Sequence, residues 1–152
     1  MGLEMLGAVG EAQVQQAVRL AAQSLAQLGA AWVLEVSHMG YLFGLFDALG
    51  VPENARPGLL EKLREKNAHE LRRAAQAAGL DAAGAAALTG LLELSGSYAA
   101  TLSKAAALCR NPAMTAAVAE LTALAPTLGQ AGGSIRLDLT LAGEMEYYNG
   151  LV

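Results

Sequence analysis

The chain has 152 residues, 54% of them hydrophobic, only 16% charged and 5% aromatic, with a net charge of −4. That length and apolar share suit one domain with a buried core and exclude wholesale disorder. The acidic balance, with a sequence pI near 5.1, gives no support to a dedicated nucleic-acid binder. The single cysteine, Cys109, excludes an intramolecular disulfide and fits a reducing cytosol. No apolar run reaches the length of a membrane span, and no signal-peptide pattern is read at the start.

In chain order, "GLEMLGA" after Met1 reads as a short strand. "GEAQVQQAVRLAAQSLAQLG" puts Val14, Val18, Ala21, Leu25 and Leu28 on one helical stripe, with Gly29 as a stop. "AWVLEVSH" turns β-branched and apolar and predicts a strand, after which Ser37 is positioned to cap the apolar helix "MGYLFGLFDALG". The stretch from Val51 to Ser97 offers no strand. It predicts three or four short helices punctuated at Pro52, Pro57, Asn67, Gly79 with Asp81, and Ser95 to Ser97. Six of the ten basic residues (Arg56, Lys62, Arg64, Lys66, Arg72 and Arg73) alternate there with Glu61, Glu65 and Glu70. This is the pattern of a solvated helical face rather than a phosphate-binding stripe.

A longer helical pair follows, Tyr98 to Leu108 and Met114 to Leu128, divided by "RNP" and with Pro126 expected to break or kink the second helix. Cys109 closes the first of these and reads as a small apolar packing residue. After the connection "GQAGGS", "IRLDLTL" alternates Ile135, Leu137, Leu139 and Leu141 against Arg136, Asp138 and Thr140, a strand with one wet face. "AGE" reads as a turn and "MEYYNGLV" as the antiparallel neighbour of that strand. The expected fold class is α/β (α+β), a mixed sheet built from both ends of the chain around an all-helical insertion. The segments are 1–50, 51–112 and 113–152. A chain that begins and ends inside apparent strands reads as an internal piece of a longer protein.

Chemistry is sparse. On the final strand Tyr147 and Tyr148 serve opposite faces, one able to anchor the core and the other to offer a hydroxyl to a ligand. Gly150 shares the Tyr148 face and leaves space for close approach. Packing is the commoner role for such a pair. Glu4 faces either solvent or a polar site. His38 adjoins a helix start and His69 lies among charges, and neither has a nucleophile at a recognisable spacing. "GQAGGS" leads into a strand, so it lacks the phosphate-cradling geometry, and no metal-ligand spacing occurs. No catalytic residue, metal or cofactor is expected.

"DLTLAGEMEYYNGLV" resembles the histidyl-tRNA synthetase family, whose histidine-binding signature runs Arg-Gly-Leu-Asp-Tyr-Tyr. Aligned on the tyrosines, Glu146 takes the Asp position, Met145 the Leu, Glu144 the Gly, and Gly143 the place of the catalytic arginine. "MGLEMLGA" is similar to the family's Gly-x-Glu-x-x-Gly strand, with Glu4 as the glutamate and Met1 where a glutamine is usual. The resemblance covers the whole chain and implies a class II aminoacyl-tRNA synthetase-like sheet. It implies histidine binding by Glu4, Tyr147 and Tyr148. With glycine for arginine it resembles the regulatory-subunit branch, which works with a short-form ATP phosphoribosyltransferase catalytic subunit in a cytoplasmic hetero-oligomer. A catalytic synthetase core and a helical interaction module without ligand are the alternatives.

Overall fold

The computed structural model describes residues 9–130, 134–141 and 150–152. The described elements are α1 (Glu11–Ala26), β1 (Val33–Val36), α2 (Met39–Ala48), α3 (Arg56–Arg64), α4 (Ala68–Ala77) and α5 (Ala82–Gly90). They continue with β2 (Ser95–Ser97), α6 (Tyr98–Ala107), α7 (Pro112–Gly129) and β3 (Ser134–Asp138); single 3-10 turns occupy Glu53–Ala55 and Leu91–Glu93. The "GLEMLGA" strand lies outside the described residues.

Helix starts follow the cap residues. The Asn67 side chain accepts from the Glu70 amide at 3.2 Å, Asp81 from Gly84 at 2.7 Å, and Asn111 from Met114 at 2.9 Å, each satisfying a donor that the first turn leaves free. Pro112 then opens α7, where its missing N–H costs nothing. Pro126 does not end this helix, which continues to Gly129. Along α1 the buried positions are Val18 and Ala22. Leu28, beyond the helix end, is 71% exposed, so the expected stripe stops a turn early.

The core gathers around α2, where Met39, Tyr41, Leu42, Leu45 and Phe46 are all buried. Such burial follows from a sequence with almost no polar face. It packs on α7 at Gly44, where a Cβ would stand 2.9 Å from Met114 Cγ and 3.2 Å from the Met114 amide nitrogen. That closeness lets Asn111 Nδ2 donate to the Gly44 carbonyl at 2.7 Å while its Oδ1 caps α7. One side chain thus fixes both helices. Cys109 is half-buried against the core, as expected of a small apolar residue.

The sheet has the order β1-β3-β2. β1 pairs with β3 in parallel, Val33 opposite Ser134 through Val36 opposite Leu137. The outer parts of the chain therefore share one sheet. β2 pairs antiparallel with β3, Ser95 opposite Asp138 and Ser97 opposite Arg136. This corrects the expectation of an all-helical middle, because a Ser-Gly-Ser triplet has little strand propensity and pairs only because β3 supplies a partner. The class is α/β with a small mixed sheet, as expected.

The basic run is mostly solvated: Lys62 pairs with Glu65 at 3.0 Å and Arg73 with Glu70 at 3.2 Å. Arg56 departs from the pattern. Its Nη2 donates to Asp47 at 2.6 Å while its guanidinium sits 5.9 Å from the Phe46 ring centroid, tying the start of α3 to the end of α2. No described helix is long and apolar enough to cross a membrane.

The α2–α7 contact gives a direct test. Alanine at an ordinary helical glycine stabilises by about 0.5–1 kcal/mol, whereas overpacking costs about 1–3 kcal/mol. Gly44→Ala is expected to lower the unfolding free energy in denaturant titration. A stabilised variant would contradict the close crossing.

Candidate functional site

Glu4, Gly143, Tyr147 and Tyr148 all lie outside the described residues, but both flanks of the segment that carries the last three are described. On the far side, the terminal residues dock against the end of β1. The Ser37 amide donates to the Val152 carbonyl at 2.7 Å, Val152 returns the bond to Ser37 at 3.0 Å, and the Met39 amide donates to Gly150 at 2.8 Å. His38 and Leu151 face each other in this antiparallel bridge. The described part of "MEYYNGLV" thus pairs with Ser37–Met39, not with β3 as expected.

This pairing also explains the start of α2. The N-cap residue is His38, with no side-chain cap. Ser37, expected as the cap, is engaged by its backbone in the ladder, and the first helical amide is satisfied instead by the Gly150 carbonyl.

His38 is buried, and its Nε2 lies 2.9 Å from Glu120 Oε2 on α7. An ionised carboxylate can only accept, so Nε2 donates in this bond. Nδ1 is buried and has no partner among the described residues. His38 therefore joins the strand-docking edge to α7.

On the near side, β3 ends in a polar knot. The Asp138 carboxylate, buried beside Leu137 and Leu139, accepts from Lys66 Nζ at 2.7 Å and Ser95 Oγ at 2.9 Å through Oδ2. Its Oδ1 accepts from the Thr140 amide at 3.0 Å and the Thr140 hydroxyl at 2.5 Å. Burial pushes this carboxyl up, but the bonds from Lys66, Thr140 and Ser95 outweigh it and hold it below the usual range. The wet face expected for "IRLDLTL" is corrected here: Asp138 and Thr140 are both buried, because their polar atoms are satisfied inside the fold. Lys66 reaches Asp138 from the end of α3, where its own φ of 52° makes the left-handed turn into α4.

The described residues nearest that segment are therefore Leu141, one residue after this knot, and Gly150 at the β1 edge. What the described residues supply is a frame. Neither His38 nor Asp138 was singled out as a site residue from the sequence. The signal for Asp138 was the Asp-Leu-Thr spacing, which favours a side-chain turn two residues on. Nothing in sequence alone pairs His38 with Glu120. No cluster of three His, Cys, Asp or Glu side chains able to hold a metal occurs among the described residues.

A sequence model of a protein family described as histidyl-tRNA synthetase matches residues 1–152. Among curated proteins, none matches the chain. The crystal structure of an ATP phosphoribosyltransferase regulatory subunit/histidyl-tRNA synthetase from Bacillus halodurans is similar, with a TM-score of 0.80 and 28% identity. The match covers 95% of this chain and 39% of that one.

The polar knot predicts acid sensitivity. A carboxyl held low in the folded state contributes its full stability above its unfolded value of about 4 and loses it as pH falls through the lower folded value. Asp138→Asn is expected to cost about 2–4 kcal/mol at neutral pH, discounted toward the lower end because Lys66 is 51% exposed. The gap from wild type should narrow on acidification in denaturant melts. A pH-independent gap would refute the role given to the ionised carboxylate.

Proposed function

The chain belongs to the histidyl-tRNA synthetase family, and we propose that it is the histidine-binding part of a non-catalytic regulatory subunit of ATP phosphoribosyltransferase. The observation that carries this reading is Gly143 at the place of the family's catalytic arginine. Adenylate formation builds negative charge that a cation must stabilise. Glycine supplies none, and Glu144 and Glu146 beside it make the field worse. The similar Bacillus halodurans structure, at 28% identity, carries both names, regulatory subunit and histidyl-tRNA synthetase, and so supports the family within which this reading falls.

In this reading residues 1–50 and 113–152 form the synthetase-like core, and 51–112 are the insertion, which contributes the edge strand β2. Glu4 pairs with the ammonium group of histidine, a charge-assisted bond that gains strength where water is excluded. The Tyr148 hydroxyl meets an imidazole nitrogen, while Tyr147 supports the strand from its other face. The described residues on either side of it, Asp138–Thr140 and Gly150–Val152, are held by hydrogen bonds. Regulation is then linkage: histidine favours one arrangement of a cytoplasmic hetero-oligomer over another, and the catalytic subunit's activity falls.

Calorimetric titration of the full-length protein with histidine tests the pocket. Glu4→Gln is expected to weaken binding by about tenfold or more and Tyr148→Phe by about two- to tenfold, from losses of about 1.5–3 and 0.5–1.5 kcal/mol. Tyr147→Phe should leave affinity nearly unchanged. Histidine should also lower phosphoribosyl transfer by the complex with the catalytic subunit. Unaltered transfer would remove the regulatory claim even if histidine binds. The family description favours a second reading, a histidyl-tRNA synthetase, and brisk formation of histidyl-adenylate would establish it in place of the first.

A further inference from the structure

Away from the strand-docking edge, a cleft of about 470 Å³ opens between α2, α5, α6 and the start of α7. Its floor is made by Tyr41, Leu45, Leu91, Leu94 and Met114, all buried. Its walls are kept low by Ala86, Ala87, Gly90 and Ala107. Around it stand three charged side chains, Glu93, Lys104 and Arg110. We propose that this cleft binds a small amphipathic carboxylate, with its hydrocarbon body on the leucine floor and its head between Lys104 and Arg110.

The volume falls in the range of small-molecule sites, about 300–1,000 Å³, and the apolar floor with few polar groups is their usual lining. The floor has no polar group to spare. The Tyr41 hydroxyl is spent on the Ala105 carbonyl at 3.0 Å, and burial pushes it up to about 12, so it stays neutral. Recognition of a polar head therefore falls to the rim, where cations outnumber the single carboxylate. Lys104 and Arg110 form no ion pair among the described residues, and exposed Glu93 is free to turn to solvent. An anion with an apolar tail matches both halves of this surface, whereas a cationic amphipath meets like charge. The site is independent of the histidine reading.

Gly90 supplies a clean probe. Its φ of −59° suits any residue, and a Cβ there would meet nothing within 4 Å. Because Gly90 lines the cleft, a large side chain at this position has room beside it without straining the backbone. The full chain is titrated with anilinonaphthalene sulfonate and the bound dye displaced with decanoate, decanol or decyltrimethylammonium. Saturable dye binding, with decanoate displacing it at least about tenfold better than the ammonium counterpart, is the expected result. Gly90→Phe should abolish that binding. The Lys104→Gln, Arg110→Gln double variant should weaken decanoate about tenfold while sparing decanol. Should Gly90→Phe fail to fold by circular dichroism, Ala107→Trp closes the cleft from the opposite wall. Undiminished decanoate binding in a folded, filled variant, or equal affinity for the ammonium compound, overturns the proposal.

Discussion

Parallel pairing of β1 with β3 brings Val33 beside Ser134, and almost everything else in the described fold lies between those two strands. Parallel neighbours cannot be joined by a tight turn, so the chain between them must travel away and return. Here it does so through six helices and the edge strand β2. Closing so long a loop carries an entropic cost that grows only slowly with length. The cost is offset by what the excursion buries, chiefly the apolar faces of α2 and α7 against each other. The α2–α7 contact at Gly44, with Asn111 bridging the two helices, makes the returning chain arrive in one register.

Two polar groups then tie the sheet to the helices. Asp138 collects a lysine from the end of α3, a serine from β2 and the turn after β3. His38 reaches Glu120 on α7 from the edge where the terminal strand docks. Buried polar groups of this kind add little net stability when satisfied, and are costly when one partner is lost. Their value lies in selecting a single arrangement.

The local signals in the sequence were strong where the chain carries its own instructions. Asn67, Asp81 and Asn111 mark helix starts by side-chain caps, and the unbroken apolar surface of "MGYLFGLFDALG" announces burial. Three of the corrections involve partners distant in sequence. Ser95–Ser97 is a strand because β3 lies beside it. Ser37 is not a cap because Val152 occupies its backbone. Asp138 is dry because Lys66, Ser95 and Thr140 converge on it. The candidate histidine site was legible only through resemblance, since a carboxylate and two tyrosines carry no chemistry of their own in a linear pattern.

The first amide of α2 is completed by the Gly150 carbonyl, from a residue far along the chain. A helix usually secures its opening turn with a neighbouring side chain, so its nucleation is a local event. Here the opening amide of the most buried helix of the core is satisfied by a residue remote in sequence, so that turn is completed by a long-range contact. By the same bond, loosening of Gly150–Val152 would leave the first amide of the central helix without its partner.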